Sequence, residues 1–326
     1  MARRSKSGQC RVFFAADIHG SERCFRKWLN AAQVYEADVL IFGGDIAGKV
    51  LVPIVANSLG TGYNVSLHGR SVEVESEQAL AELQAQLRAA GRYSVVMTQD
   101  EKRHYDDHAK DVAEDLFPAA VRRVLTDWIT LAEERLSGWQ LPAYVMLGND
   151  DYPDLTDVLL SGEHMVSAED KIVELPGGFE MISLGYSNPT PWNSPRELDE
   201  EALGRRITAM AERLERPERA VFNLHCPPRE THLDQAALLD DDFRPVGKGG
   251  QIAMTSVGST AVRDAIELYQ PMLGLHGHVH ESPGTQRIGR TLTINPGSEY
   301  GDGVLRGVLL NLDMKRGVKS WQFVQG

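Results

Sequence analysis

The stretch RVFFAADIHG, residues 11–20, indicates the fold class of this 326-residue chain. The mostly apolar residues 11–16 predict a buried strand, and the polar run that follows predicts a loop. The same pattern recurs at residues 38–42, which precede GGD, and at residues 143–147, which precede GNDD. Three apolar strands that each run into a polar loop predict an α/β sheet with its functional residues at the carboxyl ends of the strands.

Charge and composition narrow the class of protein. Lys and Arg number 34 against 46 Asp and Glu, so the net charge is −12 and the pI is about 5.3. Because binding to nucleic-acid phosphates needs a basic surface, we expect no duplex nucleic acid as a partner. The three cysteines (Cys10, Cys24 and Cys226) are an odd number without a repeated spacing, so we expect no disulfide framework. No apolar run reaches the roughly 18 residues of a membrane span. We therefore expect a cytoplasmic protein with no membrane partner.

The second half of the chain continues the alternation of strands and helices. We predict helices at residues 21–32, 198–214 and 259–269 from their apolar spacing. The sequence PGG at residues 176–178 predicts a hairpin between two strands. The strands predicted after residue 150 are 171–175, 180–184, 220–224, 272–275, 291–294, 304–312 and 320–324.

An insertion is predicted between the second and third of the early strands, which lie roughly 95 residues apart, far more than one crossover needs. Leu80, Leu83 and Leu87 have helical spacing, and further helices are predicted at residues 99–116 and from Pro118 to Gly138. We therefore predict one domain, residues 1–326, with a helical insertion at residues 53–138. The insertion is expected to be a cap over the site or an interface, through which a homo-oligomer is possible.

Five polar blocks follow predicted strands in a fixed order. They are Asp17-x-His19, Gly44-Asp45, Gly148-Asn149-Asp150-Asp151, His225 and Gly277-His278-x-His280. This order resembles the calcineurin-like metallophosphoesterase superfamily, whose pattern is D-x-H, G-D, G-N-H-[DE], H and G-H-x-H. The resemblance implies an α/β fold, an α+β sandwich of two mixed β-sheets packed face to face and flanked by helices in four αββα layers. It also implies that the last strands complete the second sheet and that the site lies on loops at one edge.

The residue types in these blocks suit two divalent metal ions. Carboxylate, imidazole and amide ligands favour ions such as manganese, iron or zinc over a soft thiolate site. The resemblance implies that one metal is held by Asp17, His19, Asp45 and His280, and the other by Asp45, Asn149, His225 and His278. We expect Mn²⁺, with iron, zinc, nickel or magnesium as alternatives.

The resemblance implies a metal-dependent phosphoric ester hydrolase that acts on a small phosphorylated substrate. Two metals about 3.5–4 Å apart can direct a bridging hydroxide in line at phosphorus, while Asn149 and His278 stabilise the developing charge. A phosphodiesterase is expected because residues 225–228, 231–234 and 295–298 are similar to the uncharacterised bacterial and archaeal branch related to cyclic-nucleotide phosphodiesterases. The alternatives are a phosphomonoesterase, a nuclease of the same superfamily, or a non-catalytic metal-binding scaffold. The sequence GDIAGK at residues 44–49 departs from the G-D-x-V-D-R-G of protein phosphatases and argues against that activity.

One position departs from the superfamily pattern. Asp150 stands where a histidine usually follows Gly-Asn, and that histidine is thought to protonate the leaving group or hold the phosphate. Two nearby dications should lower the pKa of Asp150, which would make it a poor acid near neutrality. Three alternatives remain: another histidine such as His232 supplies the proton, the substrate has a good leaving group, or Asp150 is a ligand or structural. His276 fits no motif position and is interpreted as structural, and Trp192 lines a substrate pocket or packs.

Overall fold

The computed structural model describes residues 8–57, 61–67 and 69–326, without the side chains of residues 109–115 and 248. Parts of the predicted domain and of its insertion, residues 1–7, 58–60 and 68, lie outside the described residues. The helices are α1 (Glu22–Val34), α2 (Glu77–Ala89), α3 (Gln99–Asp107), α4 (Ala109–Leu136), α5 (Thr156–Leu159), α6 (Glu200–Ala211) and α7 (Thr260–Tyr269). The strands are β1 (Gln9–Ala15), β2 (Val39–Phe42), β3 (Val50–Ala56), β4 (Tyr63–Leu67), β5 (Arg70–Val74), β6 (Arg92–Met97), β7 (Ala143–Val145), β8 (Met165–Ser167), β9 (Ile172–Leu175), β10 (Phe179–Leu184), β11 (Val221–Leu224), β12 (Gln235–Ala237), β13 (Gly247–Lys248), β14 (Gln251–Ile252), β15 (Met254–Ser256), β16 (Leu273–Leu275), β17 (Gly284–Ile288), β18 (Thr291–Asn295), β19 (Arg306–Asp313) and β20 (Gly317–Gln325).

Two six-stranded mixed sheets organise most of these elements. The first has the order β20-β19-β1-β2-β7-β8 and the second the order β17-β18-β16-β11-β10-β9. In the first sheet β1, β2, β7 and β8 form parallel pairs, and in the second β10, β11, β16 and β18 do so. Parallel strands present their carboxyl ends at the same edge of a sheet, so the loops after β1, β2 and β7 share one edge.

The apolar pattern of the strands places one face of each sheet between the sheets and the other under helices. In β1, Val12 and Phe14 lie in the core between the sheets, whereas Phe13 packs with Phe25 and Trp28 of α1. This alternation follows from the period of two along a strand. On the outer face of the second sheet, residues from β10 and β11 pack against apolar residues of α6 and α7. The predicted sandwich of two sheets flanked by helices is confirmed.

The position of the last two strands differs from the prediction. They do not complete the second sheet: β19 pairs antiparallel with β1, and β20 pairs with β19 at the edge of the first sheet. Strands are predicted at residues 291–294, 304–312 and 320–324. Of these, only the first, observed as β18, joins the second sheet. The physical reason is that β19 alternates like β1, with Val308 and Leu310 buried between the sheets, and it covers the hydrogen-bonding edge that β1 would otherwise expose.

The inserted segment contains a sheet as well as helices. The helix that Leu80, Leu83 and Leu87 predict is present as α2. However, β3 to β6 form a four-stranded sheet in the order β5-β4-β3-β6, so the segment is not purely helical. Val52, Ile54 and Val65 of this sheet pack with Leu80 and Leu87 of α2 in a small core of their own. Pro53 hides the strand in the sequence. It lies opposite Val95 in the parallel pair of β3 and β6, and beyond the residues 54–56 that pair with β4.

The boundary between the two helices after residue 98 also differs from the prediction. The capping box of Thr98 and Glu101 starts α3, which ends at Asp107, and α4 then begins at Ala109. Pro118 therefore lies inside α4 instead of opening a helix. Within the described part of the chain, no helix combines the length and apolar character needed to cross a membrane.

Glu133 of α4 ties this helix to the start of β8, which yields a stability prediction. Its Oε1 accepts the N–H groups of Glu163, His164 and Met165 at 2.9, 2.8 and 3.1 Å, and its Oε2 lies 2.7 Å from Nδ1 of His164. Burial alone would raise the pKa of Glu133, but the hydrogen bonds from His164 and Met165 outweigh it and lower the pKa. The stabilisation is therefore present above the unfolded-state pKa of about 4.3 and lost as the pH falls through the lower folded-state value.

We expect Glu133→Gln to lower the free energy of unfolding by about 1–2 kcal/mol at pH 7, because the amide offers one acceptor oxygen instead of two. The loss should shrink as the pH falls below about 4. Urea unfolding at pH 7 and pH 3.5 measures both effects, with Glu134→Gln on the exposed side of α4 as the matched control. The same loss at both pH values would contradict the role of the Glu133 carboxylate.

Candidate metal centre

The five motif blocks all lie where strands end. Asp17 and His19 follow β1, Asp45 follows β2, and Asn149 follows β7, three strands that are neighbours in the first sheet. His225 follows β11, and the loop that carries His278 and His280 follows β16, the neighbouring strand in the second sheet. Both sheets therefore contribute side chains to one cluster at their shared edge.

The backbone of these loops is strained at the residues that carry the polar groups. Asp17, His19, Asp45 and His278 have φ angles of 56°, 40°, 55° and 67°, in the left-handed region that non-glycine residues rarely adopt. Each such residue costs on the order of 1–3 kcal/mol and persists only where the surroundings fix it. Here the loops fix each other: the N–H of Asp17 donates to Gly44 O and that of His19 to Asp45 O, both at 3.0 Å.

Four side chains form a first group of donors. One ligand atom from each of Asp17, His19, Asp45 and His280 lies within 4.8 Å of the others. The Nε2 atoms of His19 and His280 are 3.0 Å apart, and His280 Nε2 is 3.5 Å from Asp17 Oδ1. The Oδ2 atom of Asp45 lies 3.6 Å from His19 Nε2.

A second group meets the first at Asp45. Asn149 Oδ1 lies 3.0 Å from His225 Nε2 and 2.8 Å from His278 Nδ1. The same Oδ2 of Asp45 that faces His19 is 3.4 Å from His225 Nε2. One carboxylate oxygen therefore lies between the two groups, and the structure brings together all the residues that the sequence predicts as ligands.

Burial and mutual charge shift the pKa values of these residues. Burial lowers the pKa of His19 to about 3 and that of His278 to about 4, so both imidazoles are neutral near pH 7. Burial would raise the pKa of Asp45, but the charge of His225 outweighs it and holds that pKa well below its usual value. Burial would likewise lower the pKa of His225, but Asp45 and Asp17 outweigh it and raise that pKa to about 10.

The donor set fits divalent metal ions. Asp17 and Asp45 are buried carboxylates only about 1% exposed, and four imidazoles and one amide oxygen converge on them. Two carboxylates buried so close together are costly without a cation between them. Ionised carboxylates and unprotonated imidazoles are the forms that bind metals, so a bound cation would displace the proton that Asp45 and Asp17 keep on His225. The arrangement therefore provides donors for two adjacent cations that would share Asp45.

Further polar residues orient these donors. The hydroxyl of Ser298 donates to the backbone oxygen of Asp17 at 2.6 Å, and the amide of Asn295 donates to the carbonyl of Val279 at 2.9 Å. The Nδ1 atom of His225 lies 2.7 Å from the carbonyl oxygen of Gly43, which directs Nε2 of that ring towards Asp45. The block NPGS at 295–298 thus supports two of the loops that carry the donors.

Asp151 is a buried residue beside the donors to which the sequence pattern alone assigns no role. It is fully buried, and it accepts the N–H groups of Ile46, Ala47 and Gly148 at 3.1, 2.8 and 2.7 Å. Burial, with the repulsion of Asp45, raises its pKa to about 7. Asp151 therefore joins the loop of Asp45 to the loop of Asn149. The sequence feature that could identify Asp151 is the acidic residue at the fourth position of the GNDD block, which matches the superfamily pattern.

The carboxylate of Asp150 contacts a lysine instead of the imidazole donors. It forms an ion pair with Lys49 and accepts the hydroxyl of Ser194 at 2.8 Å. Its backbone N–H donates to Asp45 Oδ1 at 3.0 Å. Burial and the charge of Asp45 raise the pKa of Asp150, while Lys49 opposes that rise. Asp150 thus has a cationic neighbour, Lys49, that the motif pattern does not contain.

The remaining residues singled out in the sequence lie around this cluster. His276 is buried, with Nδ1 2.8 Å from the carbonyl oxygen of Leu224, and His232 is exposed. Trp192 is 61% exposed and stacks on Phe243, which is 50% exposed, with ring centroids 5.0 Å apart. Trp192 therefore contacts a ring in the segment formed by residues 235–257 and leaves much of its own surface open.

Comparisons with known proteins give a match in fold. No family model matches the chain. The uncharacterised protein MJ1162 of Methanocaldococcus jannaschii is 29% identical over 152 residues, 46% of this chain and 61% of that protein, so the match spans about three fifths of the relative. The crystal structure of TT1561 from Thermus thermophilus aligns with a TM-score of 0.53 and 13% identity over 97% of this chain and 98% of that one. A dimetal phosphatase from Danio rerio aligns with a TM-score of 0.43 and 9% identity over 97% and 98% of the two chains.

The match to TT1561 agrees with the architecture described above. The alignment covers both sheets and the flanking helices, since it extends over nearly the whole chain. The loops with the five motif blocks lie together at one edge of those sheets. The chain therefore shares the fold of TT1561, and this fold is the sandwich of two sheets that the resemblance to the calcineurin-like metallophosphoesterases predicts.

Proposed function

We propose that the chain is a two-metal phosphoesterase that hydrolyses a small phosphorylated substrate, with a preference for phosphodiesters. The observation that carries the proposal is the position of Asp45 Oδ2, 3.6 Å from His19 Nε2 and 3.4 Å from His225 Nε2. A carboxylate oxygen that faces two donor groups could serve two adjacent metal ions. The first ion would be held by Asp17, His19, Asp45 and His280, and the second by Asp45, Asn149, His225 and His278.

The residues of the chain contribute orientation and charge. Two bound divalent ions, with Mn²⁺ as the proposed pair, supply Lewis acidity and neutralise charge on the phosphoryl group. Asn149 directs its amide oxygen to the second group because its Nδ2 donates to Ser194 Oγ at 3.0 Å. Asp17 accepts the backbone N–H of His278 at 3.0 Å, which fixes the loop that carries His278 and His280. Such fixed donors avoid reorganisation when charge develops on the phosphoryl oxygens.

The diester preference is supported by sequence similarity. The HCPP, THLD and NPGS segments are similar to a branch related to cyclic-nucleotide phosphodiesterases. A phosphomonoesterase of the same fold would use the same donor set, so the two activities must be separated by assay. A non-catalytic scaffold would have no chemical reason to keep every donor, and the net charge of −12 favours a small substrate over duplex nucleic acid.

The test is a paired assay of Mn²⁺-loaded protein with bis(4-nitrophenyl) phosphate and 4-nitrophenyl phosphate, with Asp45→Asn as the blank. Faster turnover of the diester that disappears in Asp45→Asn supports the phosphodiesterase. Faster turnover of the monoester supports the phosphomonoesterase instead. Absence of turnover for both esters, with two metal ions bound, would overturn the enzyme proposal in favour of the scaffold.

Asp150→Ala is expected to keep its bound metal, whereas Asp45→Ala loses it. The carboxylate of Asp150 contacts Lys49, Ser194 and the amide nitrogen of Asn149, whose proposed ligand atom is its oxygen. Only the backbone N–H of Asp150 reaches Asp45, a contact that alanine retains. Metal content after dialysis against metal-free buffer, measured by atomic emission, checks this expectation. Equal loss of metal from both variants would make Asp150 a ligand.

A further inference from the structure

The pair of Lys49 and Asp150 forms a substrate-binding unit at the edge of the metal centre. We propose that the ammonium group of Lys49 binds phosphoryl oxygens of the substrate and that Asp150 is the positioning residue that holds it there. The proposal deepens the proposed phosphoesterase function, on which its substrate class rests. It also gives a physical account of why an aspartate stands where the superfamily pattern has a histidine.

A short chain of contacts links Lys49 to the shared carboxylate of the centre. Lys49 Nζ pairs with Oδ2 of Asp150. The other carboxylate oxygen of Asp150 accepts the hydroxyl of Ser194 at 2.8 Å and the amide of Asn149 at 3.2 Å. The backbone N–H of Asp150 donates to Asp45 Oδ1 at 3.0 Å. The ammonium group is thus separated from Asp45 by a single residue.

The backbone that carries Lys49 is also fixed. The two residues before Gly48 in the loop, Ile46 and Ala47, donate their N–H groups to the buried carboxylate of Asp151. The N–H of Gly48 donates to the hydroxyl of Tyr93 at 2.8 Å. Lys49 therefore projects from an anchored loop, and the entropy lost on binding a substrate falls on its side chain alone.

The negative charges around the metal centre would repel an anionic substrate unless an accessible cation offsets them. Asp17, Asp45, Asp150 and Asp151 place several carboxyl groups there, which repel an anionic substrate wherever the metals do not neutralise them. Arg196 is a second cation beside the GNDD loop, but it is 3% exposed, pairs with Glu169 at 2.9 Å and donates to the carbonyl of Gly148 at 3.0 Å. The side chain of Lys49 is 47% exposed, so a substrate can reach it.

An ammonium group can bind a carboxylate and a phosphate at once. It has three N–H donors and no acceptor, so one can serve Asp150 while others bind phosphate oxygens. Hydrogen bonds between charged groups are shorter and stronger than neutral ones. An aspartate alone at position 150 would repel phosphate, whereas an aspartate that holds a lysine places a cationic group beside the metals. The residue pair can thereby contribute the positive group that a histidine at position 150 would otherwise contribute.

The experiment measures phosphate binding and turnover in the full-length, Mn²⁺-loaded protein. The variants are Lys49→Met, Lys49→Arg, Asp150→Ala and the double variant Lys49→Met/Asp150→Ala. Lys102→Met is the matched control, because Lys102 pairs with Asp106 on α3 outside the metal centre. Titration calorimetry gives the Kd of inorganic phosphate, the ester assay gives kcat and KM, and atomic emission gives the metal content.

We expect Lys49→Met to raise the phosphate Kd by about 10- to 100-fold, and to lower kcat/KM at least as much, with the metal content unchanged. Lys49→Arg should recover most of the phosphate affinity, since it keeps the charge. Asp150→Ala should raise the Kd by about 3- to 10-fold, and the double variant should be no worse than Lys49→Met, because a positioning residue acts only through the residue it holds.

Two results would overturn the inference. A phosphate Kd in Lys49→Met that matches the Lys102→Met control would remove Lys49 from substrate binding. Additive losses in the double variant would remove the positioning role of Asp150. Wild-type protein that turns over neither ester, yet loses phosphate affinity on Lys49→Met, would retain the binding inference while the phosphoesterase proposal fails, so the two failures are distinguishable.

Discussion

Asp45→Asn is expected to lower kcat/KM for the better of the two nitrophenyl esters by at least about 10³-fold, because loss of metal charge at the reacting group costs several kcal/mol. The Oδ2 atom of Asp45 faces both His19 and His225, so one substitution disturbs both donor groups. The amide keeps the shape of the side chain but loses the negative charge that would hold two dications. We therefore also expect fewer than two bound metal ions per chain, measured by atomic emission after dialysis.

The matched control for this substitution is Asp154→Asn. Asp154 is exposed and pairs with Arg122 away from the metal centre, so its amide should leave both turnover and metal content unchanged. Full metal occupancy in Asp45→Asn together with wild-type turnover would contradict the shared-carboxylate site. Full occupancy with lost turnover would instead mean that the charge of Asp45 matters for the reaction more than for binding the metals.

Asp151→Ala is expected to lower the free energy of unfolding by about 3–5 kcal/mol, since the N–H groups of Ile46, Ala47 and Gly148 lose a buried acceptor. The same change should reduce metal binding, because those hydrogen bonds hold the loops of Asp45 and Asn149 together. Urea unfolding and metal content measure the two effects. Asp157→Ala, which removes an exposed partner of Arg122, is the control.

Asp151→Asn should lie between the wild type and Asp151→Ala. The amide keeps one acceptor oxygen but turns an NH₂ group towards a backbone donor, which cannot form a hydrogen bond. Metal content equal to the wild type in a destabilised Asp151→Ala variant would show that the link between the two loops is dispensable for the donor geometry. Unchanged stability would contradict the buried acceptor role altogether.

The sandwich and the cluster of donors are predictable from sequence because both depend on local patterns. Strands such as β1 alternate apolar residues on two faces, and the loops after them carry the polar blocks in order. The edge on which β19 lies depends on which strand needs a partner across some 300 residues of chain, as between Gln9 and Asp313, and no local pattern encodes that pairing. The sheet in the insertion escapes prediction because Pro53 interrupts the apolar run that would otherwise indicate β3.

In the candidate site, too, local sequence patterns identify some residues, whereas others are identified only by contacts between distant parts of the chain. Asp17, His19, Asp45 and the other predicted donors are identified by residue type after a strand. The contacts of Asp151 and Lys49 join different loops. A buried acceptor of backbone N–H groups cannot be told from a solvated acidic residue by sequence spacing. Asp150 is recognisable as a departure from the pattern, but its partner Lys49 lies 101 positions earlier, and only the three-dimensional contact relates the two.

The hydrogen bond between Gly48 and Tyr93 has a consequence for the inserted segment. Tyr93 belongs to β6 of that segment, and a Cβ atom on Gly48 would lie 2.3 Å from the carbonyl oxygen of Gly91, so no side chain fits between them. Removal of the segment would leave the Gly48 N–H without its acceptor, directly beside the loop of Asp45 and Lys49. The inserted segment therefore supports the loop that carries Asp45 and Lys49. A chain without the segment would need another acceptor for the N–H of Gly48.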